Sequence, residues 1–225
     1  MMTKALPERR KAQSVESSMQ TQTGKDGTNP PAILDLGCGT AKTPGALGVD
    51  IDASCDPDLV HDLNEVPCPL PADSFRQIVC SHIVEHIDDP VLFFDELYRL
   101  AAPGCRIRIL TPHFTNRCSY ADPSHKHHFS VQFADFFAER PDKAGDIGPL
   151  GKPARFLFEH RFDHPTQFNP PRFRILSQHI SFSRIFRWTG VERFANRFYR
   201  FWEFYLCFVL PARDISLELE VLKRP

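Results

Sequence analysis

Two glycines and an acidic residue one strand further on are the groups in this chain whose types and spacing most clearly allow chemistry. Asp35-Leu36-Gly37-Cys38-Gly39-Thr40 follows the apolar run Ala32-Ile33-Leu34, which reads as a buried strand. Glycines at a strand's end let the backbone turn sharply and present bare N–H groups, with no β-carbon to hold a ligand away. The next strand, Ala46 to Val49, leads into Asp50, whose carboxylate can accept hydrogen bonds from both hydroxyls of a ribose. Together they predict a site for an adenosine-containing cofactor. A dinucleotide fingerprint would add a third glycine and a helix to receive the pyrophosphate. Here Ala41 takes the third position, and only Thr40 to Gly45 separate the turn from the second strand. A parallel crossover normally takes at least about ten to twelve residues including its helix. The first helix is therefore expected to be a stub or absent, which a cofactor without phosphates would tolerate.

On these residues the chain resembles the class I S-adenosylmethionine-dependent methyltransferases, in particular the methyltransferase type 11 group. Further matches follow in order: Gly48-Val49-Asp50-Ile51-Asp52, His61-Asp62-Leu63, Ser74-Phe75-Arg76-Gln77-Ile78-Val79, Ser81-His82-Ile83-Val84-Glu85-His86, and Leu97 to Gly104. The resemblance implies S-adenosyl-L-methionine as cofactor, with Asp35, Gly37, Cys38, Gly39, Asp50, Ile51, Asp62, Leu63 and Ser81 as the binding positions. It also implies a Rossmann-like α/β fold with a seven-stranded, mostly parallel sheet whose last strand runs antiparallel.

Methyl transfer from a sulfonium asks the protein mainly to align the acceptor and exclude water, since proximity alone can supply up to about 7–11 kcal/mol. A hydroxyl acceptor must also lose a proton, a task suited to histidine with its ordinary pKa near about 6.5. His82 directly follows the expected fourth strand, His113 the fifth, and His125 lies in Asp122-Pro123-Ser124-His125-Lys126-His127-His128-Phe129. These three are the candidate catalytic residues. His125 or His82 is preferred as base, with Asp122 as the group that orients it, and His86 is read as structural. Adjacent side chains such as His125, His127 and His128 seldom converge on one ion, so no metal is expected there.

Around these groups the chain has ordinary globular proportions: 225 residues, 42% hydrophobic and 24% charged. The formal net charge of −1 argues against a nucleic-acid partner. Seven cysteines without a Cys-x-x-Cys pair, and no signal-like apolar core, predict a cytoplasmic protein. Residues 1–29 read as a disordered tail and 30–225 as the methyltransferase domain. Strand and helix alternate from residue 30, with a helix expected from Asp89-Pro90 to about Ala101, stopped by Pro103-Gly104. A loop insertion is expected over 141–171 and a helical insertion over 183–211, before the last strand. Within the latter, 191–210 interleaves Arg193, Arg197 and Arg200 with aromatic residues. Such a helix can meet a membrane interface, cap the active site or form a homodimer contact. The acceptor expected is a small molecule or a glycan-like compound, methylated on oxygen or nitrogen. The competing readings are a non-catalytic S-adenosylmethionine-binding partner protein and, less well matched, a nicotinamide-dependent oxidoreductase.

Overall fold

The computed structural model describes residues 32–139 and 171–223. The expected tail, and the expected insertion up to residue 170, lie outside the described residues. Eight strands form one sheet: β1 (Ile33–Leu36), β2 (Leu47–Asp50), β3 (Leu59–Val60), β4 (Phe75–Ser81), β5 (Ala101–Pro112), β6 (Ala138–Glu139), β7 (Phe173–Ile180) and β8 (Asp214–Val221). Their order across the sheet is β3-β2-β1-β4-β5-β8-β7-β6. Strands β3 to β5 run parallel, and β8 is antiparallel to both its neighbours, β5 and β7. The extra strand is the two-residue β6, paired parallel with the start of β7. No helix lies between β1 and β2, and residues 37–46 cross over as a chain of turns.

Helix α1 (Pro90–Leu100) begins where the sequence places it. The Asp89 side chain accepts from the N–H groups of Val91 and Leu92 at 2.8 and 3.2 Å, and Pro90 takes the first turn. Phe93, Phe94, Leu97 and Leu100 recur every three to four residues and are buried against the sheet. The helix stops at Leu100, within one residue of the expected end at about Ala101, although β5 begins there, ahead of Pro103-Gly104. Ala101 already pairs with Phe75, and pairing resumes at Arg106 with Gln77. Pro103 and Gly104 thus sit in an irregularity of β5, a place that tolerates a residue without an N–H.

The aromatic segment is not one helix. It folds as α3 (Arg184–Trp188), α4 (Val191–Arg197) and α5 (Tyr199–Tyr205), after the short α2 (Arg117–Ala121), and breaks at Gly190 and Phe198. Phe182, Ala195, Tyr199, Trp202 and Cys207 are buried in a second core with Val131, Ile180 and Ala212. At its centre the Glu203 carboxylate accepts from His113 Nε2 at 3.1 Å, from the Val131 N–H at 2.7 Å and from Gln132 Nε2 at 3.0 Å. All seven cysteines are free thiols. Among the described residues no helix is long and apolar enough to cross a membrane.

Candidate active site

The glycine turn leaves β1 with Gly37 at φ +69° and Gly39 at φ +49°, conformations that disfavour any side chain. A β-carbon on Gly37 would stand 2.8 Å from Ile83, whereas one on Gly39 would meet nothing within 4 Å. Gly37 is thus needed for packing, and Gly39 fronts open space. The Gly39 N–H donates to Asp50 Oδ2 at 2.8 Å, and the Asp52 N–H donates to Asp50 Oδ1 at 2.9 Å. Turn and acid are therefore locked together, and the half-buried carboxylate keeps lone pairs for further donors. Ile51, 66% exposed, offers an apolar surface just beyond Asp50. An open backbone, an acid with spare acceptor capacity and an uncovered apolar side chain together fit a nucleoside.

The other expected cofactor positions divide by what they touch. Asp35 is buried, and its Oδ2 accepts from the Thr43 N–H at 2.7 Å, so it holds the crossover loop in place. Cys38 is buried beside it, and burial together with the Asp50 and Asp35 carboxylates pushes its thiol up. Asp62 caps its own turn by accepting from Asn64, and Leu63 packs on the main core. Ser81 is exposed at the end of β4. Asp58, assigned no role from sequence, accepts from Gly48 N–H at 2.7 Å and from Lys42 Nζ at 2.9 Å, bracing the same loop.

Beyond the carboxyl ends of β4 and β5 lies a cavity of about 710 Å³, lined among others by His82, Glu85, His86, His125, Arg213 and Asp214. This is where open α/β sheets bind ligands. His82 adopts φ +54°, a left-handed conformation that costs a non-glycine residue about 1–3 kcal/mol and aims its ring away from the strand path. Its N–H donates to the Leu110 carbonyl at 2.8 Å, and its side chain is 46% exposed. His82 Nδ1 lies 3.2 Å from Glu85 Oε1, and the buried Glu85 also accepts from the Thr111 hydroxyl at 3.0 Å. The Glu85 hydrogen bond raises the His82 pKa, against the opposing effect of partial burial. Glu85, and not Asp122, therefore orients this histidine. The signal was present in sequence, an acid three residues after His82 in the otherwise apolar Ile83-Val84, but nothing local showed that it turns inward.

His113 leaves the set of candidates. Its side chain is 0% exposed, with Nε2 on Glu203 and Nδ1 accepting from the Thr115 N–H at 3.1 Å. It ties β5 to α5 and does not line the cavity. His125 does line it, with Nε2 3.8 Å from Asp122 Oδ2 and Nδ1 3.0 Å from the Ser119 carbonyl. Its sequence neighbours diverge: His127 Nε2 bonds the Asp88 carbonyl, and His128 Nδ1 bonds Ser119 Oγ. His125 meets His86 instead, their ring centroids 4.7 Å apart at 75°. Arg213 and Asp214 reach the cavity from the far end of the chain, and no local motif announces them.

A family model described as a methyltransferase domain matches residues 34–109, from β1 to the middle of β5. A search of curated proteins returned no match. Among solved structures, the chain is similar to an S-adenosylmethionine-dependent methyltransferase from Mesorhizobium loti at 14% identity, covering 85% of this chain and 93% of that one with a TM-score of 0.47. It is similar to an S-adenosylmethionine-dependent methyltransferase from Archaeoglobus fulgidus at 17% identity, covering 93% and 94% with a TM-score of 0.46. It is also similar to Haemonchus contortus phosphoethanolamine N-methyltransferase 2 in complex with S-adenosyl-L-methionine, at 12% identity over 94% of this chain and 53% of that one, TM-score 0.47.

Proposed function

We propose an acceptor class and a base for this chain, an S-adenosylmethionine-dependent methyltransferase whose cofactor is S-adenosyl-L-methionine. The acceptor is a small molecule or glycan-like compound, methylated on oxygen or nitrogen, and it binds in the cavity beyond β4 and β5. The observation that carries this reading is the His82–Glu85 pair at that cavity, one residue past the end of β4.

When bound, the cofactor supplies a methyl group on a sulfonium whose positive charge already makes it a good leaving group. Gly39 leaves its face of the turn open, and Asp50 would accept from the ribose hydroxyls of the cofactor. With Nδ1 donating to Glu85, His82 presents the lone pair of Nε2 to the acceptor and takes the proton that a hydroxyl or ammonium must lose. Glu85 fixes that tautomer and stabilises the imidazolium formed. Its hydrogen bond raises the His82 pKa and so makes the neutral imidazole the stronger base. Arg213 and Asp214 also line the cavity and act electrostatically on His82, an environment suited to a polar, hydroxyl-bearing acceptor.

The test is a screen of hydroxyl and amine acceptors with S-adenosylmethionine, reading S-adenosylhomocysteine released, followed by His82→Ala on any acceptor found. Loss of about 10²–10⁴-fold in kcat with little change in S-adenosylhomocysteine affinity is expected. Unchanged kcat would remove His82 from the mechanism.

The aromatic and basic segment is proposed as a peripheral membrane contact. Trp188 is 91% and Phe208 82% exposed, and Arg184, Arg187, Glu192 and Arg193 line a surface hollow with Trp188. Uncovered aromatics beside an excess of arginine are the composition that favours an anionic lipid interface.

A further inference from the structure

The wall of the cavity carries more ligating power than methyl transfer asks for. Glu85, His86 and His125 each offer a ligand atom, and these atoms all lie within 4.8 Å of one another. The two histidines arrive from segments 39 positions apart, which no local spacing could show. His86 Nδ1 is 3.2 Å from the Ser124 carbonyl oxygen and 3.1 Å from the Ser124 hydroxyl, which itself donates to Asp122 Oδ1, and His125 Nδ1 is 3.0 Å from the Ser119 carbonyl oxygen. A ring nitrogen facing a carbonyl oxygen must donate, so each Nδ1 carries the proton and each Nε2 keeps its lone pair. That is the outer arrangement which holds imidazoles ready for a metal, fixing both tautomer and ring orientation. Glu85 has about four lone-pair sites. Thr111 and His82 engage two of them, and the rest can face an ion.

We propose that Glu85, His86 and His125 bind a divalent first-row transition ion, with zinc as the reference. Two imidazoles and one carboxylate suit zinc and its neighbours, whereas magnesium and calcium prefer oxygen alone. Ligand atoms of a tetrahedral ion, at about 2.0–2.1 Å from it, lie about 3.4 Å apart. The three side chains therefore need to close by no more than about 1.5 Å. Three protein ligands leave a further position directed at the cavity, for water or for an oxygen of the acceptor. Asp122 stands at the rim, its Oδ2 3.8 Å from His125 Nε2. The ion site stands on its own geometry, and only its place beside the acceptor rests on the proposed function.

The experiment titrates chelator-stripped full-length protein with ZnCl2 by calorimetry and with CoCl2 by visible absorption, with no acceptor present. One equivalent of zinc should bind, and cobalt should give ligand-field bands without a thiolate charge-transfer band. His86→Ala/His125→Ala should weaken zinc binding by about a hundredfold or more, whereas His127→Ala/His128→Ala should leave it unchanged. S-adenosylhomocysteine affinity checks that the variants fold. No zinc uptake by the wild type, equal uptake by the His86/His125 variant when folded, or a thiolate band in the wild-type cobalt spectrum would each overturn the site. A failed methyl-transfer screen would leave this result standing, and absence of zinc would leave the screen standing.

Discussion

Asp50 and Gly39 act as one unit, because the carboxylate that would hold a ribose already holds the N–H of the turn. Replacing Asp50 by Asn keeps the shape and removes the charge. Hydrogen bonds to charged groups contribute about 1.5–3 kcal/mol, so S-adenosylhomocysteine should bind about 10- to 150-fold more weakly, as calorimetry would show. Gly39→Val should abolish binding and lower the unfolding midpoint only by the backbone strain of a β-branched residue at φ +49°, since its side chain would enter open space. Gly37→Val should lower the midpoint further, since its β-carbon also has to displace Ile83. If the two substitutions behaved alike, the division of labour between the glycines would be wrong. The histidines teach a different lesson. Position after a strand singled out His82 and His113, and the run Asp122 to Phe129 singled out His125, yet burial withdrew His113 and contact with Glu85 distinguished His82. Which imidazole sees solvent depends on α5, some 90 residues away from His113 in sequence.

At the scale of elements, short-range rules were largely sufficient. The Asp89-Pro90 start of α1 and its apolar spacing are local facts, and the helix forms on them. Asp89→Ala should cost about 1 kcal/mol in urea unfolding. The end of α1 falls within one residue of its expected place, but it coincides with the long-range pairing of Ala101 with Phe75 and precedes the Pro-Gly signal. Glu203 sets a second test. Burial pushes its carboxyl up, but bonds from His113, Gln132 and the Val131 N–H outweigh this and hold it below the ordinary carboxylate range. A carboxyl depressed in the folded state contributes stability above its unfolded pKa of about 4.3 and loses it as pH falls further. Glu203→Gln should therefore destabilise the protein at pH 7 by about 1–3 kcal/mol, with the difference from wild type shrinking below about pH 4.5. A difference that stayed constant down to acid unfolding would contradict this.

For the whole molecule, the two cores divide the work. The sheet and α1 build the main core, and α3 to α5 cover the second one while leaving Trp188, Phe208 and Val209 uncovered. Trp188→Ala/Phe208→Ala should reduce co-sedimentation with anionic phospholipid vesicles at low salt by tenfold or more, while far-UV dichroism stays the same. Wild-type protein that stays in the supernatant under those conditions would rule the contact out.

The chain alone determined the glycine turn, the absence of a first helix and the start of α1. Each follows from residues close in sequence: two glycines, an acid, a crossover too short for a helix, a capped amphipathic run. The tertiary structure alone decided that one basic-aromatic stretch becomes three helices, that His113 is a buried tie, and that His86 faces His125. Those outcomes turn on which distant surfaces come together and exclude water, and such contacts are properties of the assembled fold, invisible to local spacing.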